Sequence, residues 1–219
     1  ATEGNTNPNS LNNGYFLNRN WVFFSTLAFK KNFGDHRVTA LAGYESKQTY
    51  YEGFNAGGSK LAFDDPNYRL LQNMDPATFY MSSYRGEHNV VSQFAQASYS
   101  LSDKYLLSGT VRRDGSSRFV NNVYSIFPSG SIGWRISNES FMDNVSFIND
   151  LKLKASYGLL GNNEVGGDYP GFSNFGTSVG TANYDINGSG NSTVTGFEQT
   201  STGNPNLRWE TSAITNIGF

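Results

Sequence analysis

Residues 150–160, DLKLKASYGLL, put Leu151, Leu153, Ala155, Tyr157 and Leu159 on one side and Lys152, Lys154, Ser156 and Gly158 on the other. Polarity that repeats every second residue is the mark of a strand with one apolar and one polar face. The same period recurs along the chain. In 105–113, Tyr105, Leu107, Gly109 and Val111 alternate with Leu106, Ser108, Thr110 and Arg112. In 124–136, Ile126, Pro128, Gly130, Ile132, Trp134 and Ile136 oppose Phe127, Ser129, Ser131, Gly133 and Arg135. Trp21, Phe23, Ser25, Leu27 and Phe29 share a face in 21–31, and 207–219 alternates from Leu207 and Trp209 to Ile217 and Phe219. Adding 37–49 and 88–101 makes seven predicted strands, all antiparallel and nearly all of ten or more residues. Strands of soluble sheets usually run to about five or six.

Connections alternate in length. NFGDH (32–36) and Ser102-Asp103-Lys104 read as tight turns, whereas 51–87 and 162–205 read as long irregular loops. Asp75-Pro76 marks a short helical start, and Asn138 or Ser140 a cap for a turn around Phe141 to Ile148. Pro128 predicts a bulge or a strand start, because proline donates no ladder hydrogen bond. Short turns at one end and long loops at the other is the layout of an outer-membrane barrel. Trp21 and Trp209 would then mark the extracellular girdle, and Tyr99, Tyr105 and Trp134 the periplasmic one. A soluble carbohydrate-binding or adhesive β-sandwich alternates inside and outside residues in the same way, and stands as the other reading.

Composition narrows the classes. Aromatics make up 15% of the 219 residues, with 24 glycines, which suits strands and turns. The mean hydropathy of -0.48 and the lack of any long apolar run exclude a membrane-spanning helix but not a membrane barrel, whose strands are only half apolar. A net charge of -2 with no basic tract gives no support to a nucleic-acid partner. With no cysteine, disulfide frameworks and cysteine-based zinc sites are excluded. ATEGNTNPNSLNNGYF has none of the regions of a secretion signal, so any export signal is expected outside these residues.

Four stretches carry a resemblance: RRDGSSRF (112–119), FPSGSIGWRISNESFM (127–142), LKLKASYGLLGNNEVG (151–166) and GNPNLRWETSAITNIGF (203–219), with LAGYE (41–45) as a weaker fifth. In order and spacing they resemble the SusC/RagA family of TonB-linked outer-membrane transporters. That resemblance implies a location in the bacterial outer membrane, a barrel of about twenty-two strands around a plug, and a SusD-like surface lipoprotein as lid. It also implies uptake of glycans or peptides, powered through TonB by way of the plug, and no cofactor. Seven strands are fewer than the eight or so that close the smallest bacterial barrels, so residues 1–219 are expected to be one part of a larger barrel. The rest of that barrel, its plug and outer-membrane lipid would then be its immediate partners.

No catalytic constellation emerges, and the chain is not expected to be an enzyme; a hydrolase would need converging carboxylates. His36 and His88 read as solvated turn histidines, and Asp64-Asp65 as a capped turn before Pro66. Asn183 to Asn191 is only faintly like a calcium loop, because position twelve counted from Asp185 is Gly196 rather than the closing glutamate. Arg112, Arg135, Lys152 and Lys154 are expected to face the lumen, with Arg112 or Arg118 paired to Asp114. The residues expected to meet substrate or the lid are the loop aromatics Tyr50, Tyr51, Tyr68, Tyr84, Tyr169 and Tyr184, because stacking on sugar rings is the one ligand chemistry the chain offers.

Overall fold

Where period-two segments follow one another across tight turns, each strand can pair with the one before it, as Ser10–Phe33 with His36–Ser59 and Tyr80–Leu101 with Tyr105–Ser116 do here. The computed structural model describes residues 9–61, 65–177, 182–188, 190 and 193–219. Its strands are β1 (Ser10–Phe33), β2 (His36–Ser59), β3 (Tyr80–Leu101), β4 (Tyr105–Ser116), β5 (Tyr124–Arg135), β6 (Lys152–Asn162), β7 (Asn174–Gly176), β8 (Asn183–Asp185), β9 (Thr193–Thr195), β10 (Glu198–Ser201) and β11 (Glu210–Gly218). Seven of them form a single sheet in the order β1-β2-β3-β4-β5-β6-β11, and β10-β7 and β8-β9 form two small ones. The seven long strands are thus not divided between two facing sheets, as a sandwich requires. By contacts the chain divides into two units: one holds the chain up to Trp21 with Gln48–Glu87, the other Val22–Lys47 with His88–Phe219.

The tight turns form as the sequence predicts. Gly34 has φ 58° and occupies the first of the two central positions between β1 and β2, a backbone state open to glycine. Ser102 and Asp103 both have positive φ, and Lys104 N–H donates to the Leu101 carbonyl at 2.9 Å, closing a turn of the primed type. Neighbouring turns meet: Ser102 N–H donates to Asp35 O at 2.7 Å, and Arg37 pairs with Asp103 at 3.5 Å.

Several boundaries differ from the sequence reading. The stretch 51–87 is not all loop, because β2 runs on to Ser59 and β3 already begins at Tyr80. Glycines that read as breakers lie beneath cross-strand rings. A Cβ on Gly53 would sit 2.3 Å from the Tyr84 ring, and one on Gly57 2.4 Å from Tyr80. The connection that remains, 60–79, holds three short 3-10 turns, of which Pro66–Tyr68 is capped by Asp65 and Pro76–Thr78 by Asp75. Asp64 lies outside the described residues. The helical turn expected at Phe141 to Ile148 comes earlier, as Ile136–Asn138 and Ser140–Met142, with Glu139 between them. Pro128 makes no bulge against β4, where it faces Val111 in an unbroken register. It lies one residue beyond the end of the β5–β6 ladder at Ser129.

A buried aromatic cluster lies in the second unit, above the ends of β4–β6. Phe119 is 3% exposed and Phe127 6%. The Trp209 ring stacks on Phe119 at 5.2 Å and meets the Phe127 edge at 5.5 Å, and its Nε1 donates to Val123 O at 3.1 Å. Trp209 is therefore a loop-core residue rather than part of an extracellular girdle. The aromatics of the RRDGSSRF and NPNLRW stretches pack on one another, and Asn121 N–H adds a bond to Pro205 O at 3.2 Å.

Candidate functional site

Residues directly opposite one another in a ladder point to the same side of a sheet. The register therefore joins Leu107, Ile132, Ala155 and Ile217 into one row across β4, β5, β6 and β11. Leu107 is 54% exposed, Ile132 61% and Ile217 84%, so none of the described residues covers this row. One residue along, on the reverse face, Ser98, Ser108, Ser131, Ser156 and Asn216 form an unbroken polar row. Two of its hydroxyls, Ser108 Oγ and Ser131 Oγ, are 2.7 Å apart. The sheet thus has one apolar and one hydrated face along its middle.

The four cations named from sequence share the polar face: Arg112 opposite Phe94 and Phe127, Arg135 opposite Lys152, and Lys154 opposite Gly133. Arg112 is heavily engaged. Its Nε donates to Asp114 at 2.7 and 3.0 Å and its Nη2 to Ser92 Oγ at 2.7 Å, with Glu45 at 3.9 Å and the Phe94 ring 5.6 Å away. Arg135 pairs with Asp150 at 3.5 Å. Arg118, 7% exposed, does not return to the sheet; its Nη1 donates to Glu164 at 2.9 Å and to Asn163 O at 3.1 Å, and Asp168 lies 3.8 Å from its Nη2.

The tyrosines separate into groups. Tyr50, Tyr51 and Tyr84 stand in strands, not loops. Tyr50 Oη donates to Glu52 at 2.6 Å beneath the Arg19 guanidinium, while Tyr51 meets Tyr84 with ring centroids 6.5 Å apart. A shallow cleft of about 560 Å³ beside them is lined by Tyr15, Phe54, Tyr84, Glu52 and Arg85. Tyr68 ends an exposed 3-10 turn. In the other unit Tyr169 packs edge-on against Phe172 at 6.4 Å, and the exposed Tyr184 covers Gly196.

Neither histidine is a free turn residue. His36 opens β2 and lies 2.6 Å from Tyr99 Oη, and His88, inside β3, lies 3.0 Å from Asp168. Strand length hid His88 from sequence reasoning, since β3 was expected to begin only there. Asp185 uses its carboxylate to accept from Asn187 N–H at 3.3 Å and Gly190 N–H at 2.6 Å, which closes its own turn. Ser189 and Asn191 of that stretch lie outside the described residues.

One hub was not read from sequence. Glu139 Oε1 accepts from Trp134 Nε1 at 3.0 Å and from Tyr105 Oη at 2.8 Å, and Oε2 accepts from Lys104 Nζ at 3.0 Å. The Trp134 bond, then those from Tyr105 and Lys104, hold its carboxyl down at about 2. The spacing of Trp134 and Glu139 across a short turn was the available signal.

Comparison with known proteins agrees with the two-faced sheet. The family described as TonB dependent receptor-like, beta-barrel matches residues 1–219. TonB-dependent receptor P39 of Formosa agariphila is 34% identical over 222 residues, covering 99% of this chain and 20% of that protein. TonB-dependent receptor P3 of the same organism is 35% identical over 194 residues, covering 88% and 18%. TonB-dependent receptor SusC of Bacteroides thetaiotaomicron is 29% identical over 191 residues, covering 86% and 18%. A solved structure of the RagAB peptide transporter superposes with a TM-score of 0.81 at 25% identity, over 95% of this chain and 22% of that one. The chain spans about a fifth of the length of the curated relatives it matches. With its seven-stranded antiparallel sheet, apolar on one side and polar on the other, this chain belongs to the TonB-dependent receptor β-barrel family.

Proposed function

We propose that this chain forms part of the barrel wall of a TonB-dependent transporter in the bacterial outer membrane. Its apolar row meets lipid, and its serine row and Arg112, Arg135, Lys152 and Lys154 line the lumen around a plug. The reading rests on one observation: the uncovered Leu107–Ile132–Ala155–Ile217 row lies back to back with a continuous polar row. In lipid every strand edge must be paired, so the outer edges of β1 and β11 join the remaining strands of the barrel. The segments 60–79 and 163–209 face the extracellular side, where a SusD-like lipoprotein caps the opening. TonB acts through the plug, and the role is transport without covalent chemistry. Cargo is an oligomeric glycan or peptide; SusC and the RagAB peptide transporter are relatives of this chain, and Tyr50, Tyr51, Tyr68, Tyr84, Tyr169 and Tyr184 supply stacking surfaces for cargo or lid.

Cysteines introduced into the complete parent protein test the orientation. Asn67→Cys, in the 60–79 connection, is expected to react with an impermeant thiol reagent on whole cells, and Asp103→Cys, in the tight turn, only after the outer membrane is opened. The reverse pattern would overturn the topology.

A further inference from the structure

Arg113 departs from the polarity of its strand. It follows Val111 on the apolar face, opposite Gln93 of β3 and Ile126 of β5. Below it on that face come Val111, Gly109 and Leu107, then Tyr105, which with Trp134 holds Glu139 at the far rim. From Tyr105 to Arg113 is about 27 Å of strand at about 3.4 Å per residue. At a tilt of about 40° that is about 20 Å of depth, close to the roughly 25 Å of a barrel's apolar band. Arg113 therefore stands where the band ends on the side opposite the Glu139 rim.

Its surroundings suit an anion. The guanidinium carbon lies 3.8 Å from the centre of the Tyr124 ring, and Nη1 donates to Gln93 Oε1 at 3.1 Å. A planar cation held over a ring and tethered by one N–H keeps its other donors available at little entropic cost. Among the described residues no carboxylate forms an ion pair with it, whereas the adjacent Arg112, on the other face, is met by both Asp114 and Glu45. The anion that lies at this depth along a barrel is a lipid phosphate.

We propose that Arg113, clamped between Tyr124 and Gln93, binds the phosphate headgroup of an outer-leaflet lipid. The proposal rests on the membrane-barrel reading above. Arg113 lies level with the headgroups, Tyr124 forms the apolar floor beneath the guanidinium, and the phosphate takes the guanidinium's free edge through charge-assisted hydrogen bonds.

The test uses the complete parent receptor in neutral sugar-detergent micelles doped with phosphatidic acid, or with diacylglycerol, which lacks the phosphate. Lipid bound to the intact protein is measured by native mass spectrometry. Phosphatidic acid is expected to bind the natural protein about tenfold more tightly than it binds Arg113→Gln, a loss typical of one charge-assisted contact. Arg113→Lys should recover only part of that loss, and diacylglycerol should bind both proteins equally weakly. Equal phosphatidic acid binding by Arg113→Gln would overturn the proposal, as would inorganic phosphate binding as tightly as the lipid. A nitroxide on Ile132→Cys separates this from the barrel reading. If it is shielded from lipid-dissolved oxygen in folded protein, the barrel orientation fails; if it is exposed to oxygen while phosphate binding ignores Arg113, only the headgroup site fails.

Discussion

Phe119 and Trp209, ninety residues apart in sequence, stack with ring centroids 5.2 Å apart and join the loop after β4 to the segment that leads into β11. Phe119 is almost wholly buried, and Phe127 closes the other side of the Trp209 ring. Two of the family-like stretches thus serve a structural end: they fold an otherwise polar loop region around three aromatic rings. Trp209→Ala removes the ring that both phenylalanines contact, a truncation that costs about 3 to 5 kcal/mol in a packed core. Limited proteolysis of the parent protein should then cut at Arg118 much faster, while the heat-modifiable mobility that reports the folded barrel stays. Unchanged protection at Arg118 would show that Trp209 does not hold this loop.

Two glycines separate packing from propensity. A Cβ on Gly161 would overlap the Phe127 ring, which is itself buried and packed against Trp209. On Gly109 the nearest atom would be 3.9 Å away. Gly161→Ala is expected to destabilise by about 1 to 3 kcal/mol through overpacking. Gly109→Ala should be close to neutral. Denaturant melts of the refolded parent barrel would compare them, and equal midpoints would contradict the packing seen around Phe127.

Facing predicts opposite outcomes for neighbouring residues. Leu153, on the apolar side of β6, is the second residue of that strand and lies opposite Trp134 at the rim. Ile132, flanked by Leu107 and Ala155, lies deeper in the band and is the better probe. Arginine on the lipid face costs about 2 to 4 kcal/mol at the midplane and less towards the rim, so an intermediate cost is expected at Ile132. Ile132→Arg should lower the folded fraction in the outer membrane, measured by heat-modifiable mobility, and Ser131→Arg should leave it nearly unchanged. Loss confined to the serine variant would invert the assigned faces.

Acid should loosen the Glu139 rim. Its carboxyl titrates at about 2 in the fold against an ordinary 4.5, chiefly because Trp134 and then Tyr105 donate to it. A lowered folded value stabilises the rim fully above pH 4.5, and that contribution falls away as pH drops towards about 2. Trp134 fluorescence of the natural protein should therefore change through this window, and in Glu139→Gln the change should be absent. The same titration curve in both proteins would remove Glu139 as its cause.

The alternation of β4, β5 and β6, their two faces and the tight turns at Gly34 and Ser102–Lys104 are properties of the sequence alone. They depend on local backbone geometry, which needs no distant partner: a strand turns successive side chains to opposite sides, and a two-residue turn selects its residues by φ. The outer halves of β2 and β3 were decided by tertiary structure. Gly53 and Gly57 look like breaks until the rings of Tyr84 and Tyr80, from the neighbouring strand, cover them. Tertiary structure likewise took Trp209 out of a girdle and put it under a loop, and brought His88 and Arg118 to Asp168. These contacts join residues tens of positions apart, so no local period encodes them; they exist only because strand pairing first brings the ends of the strands together.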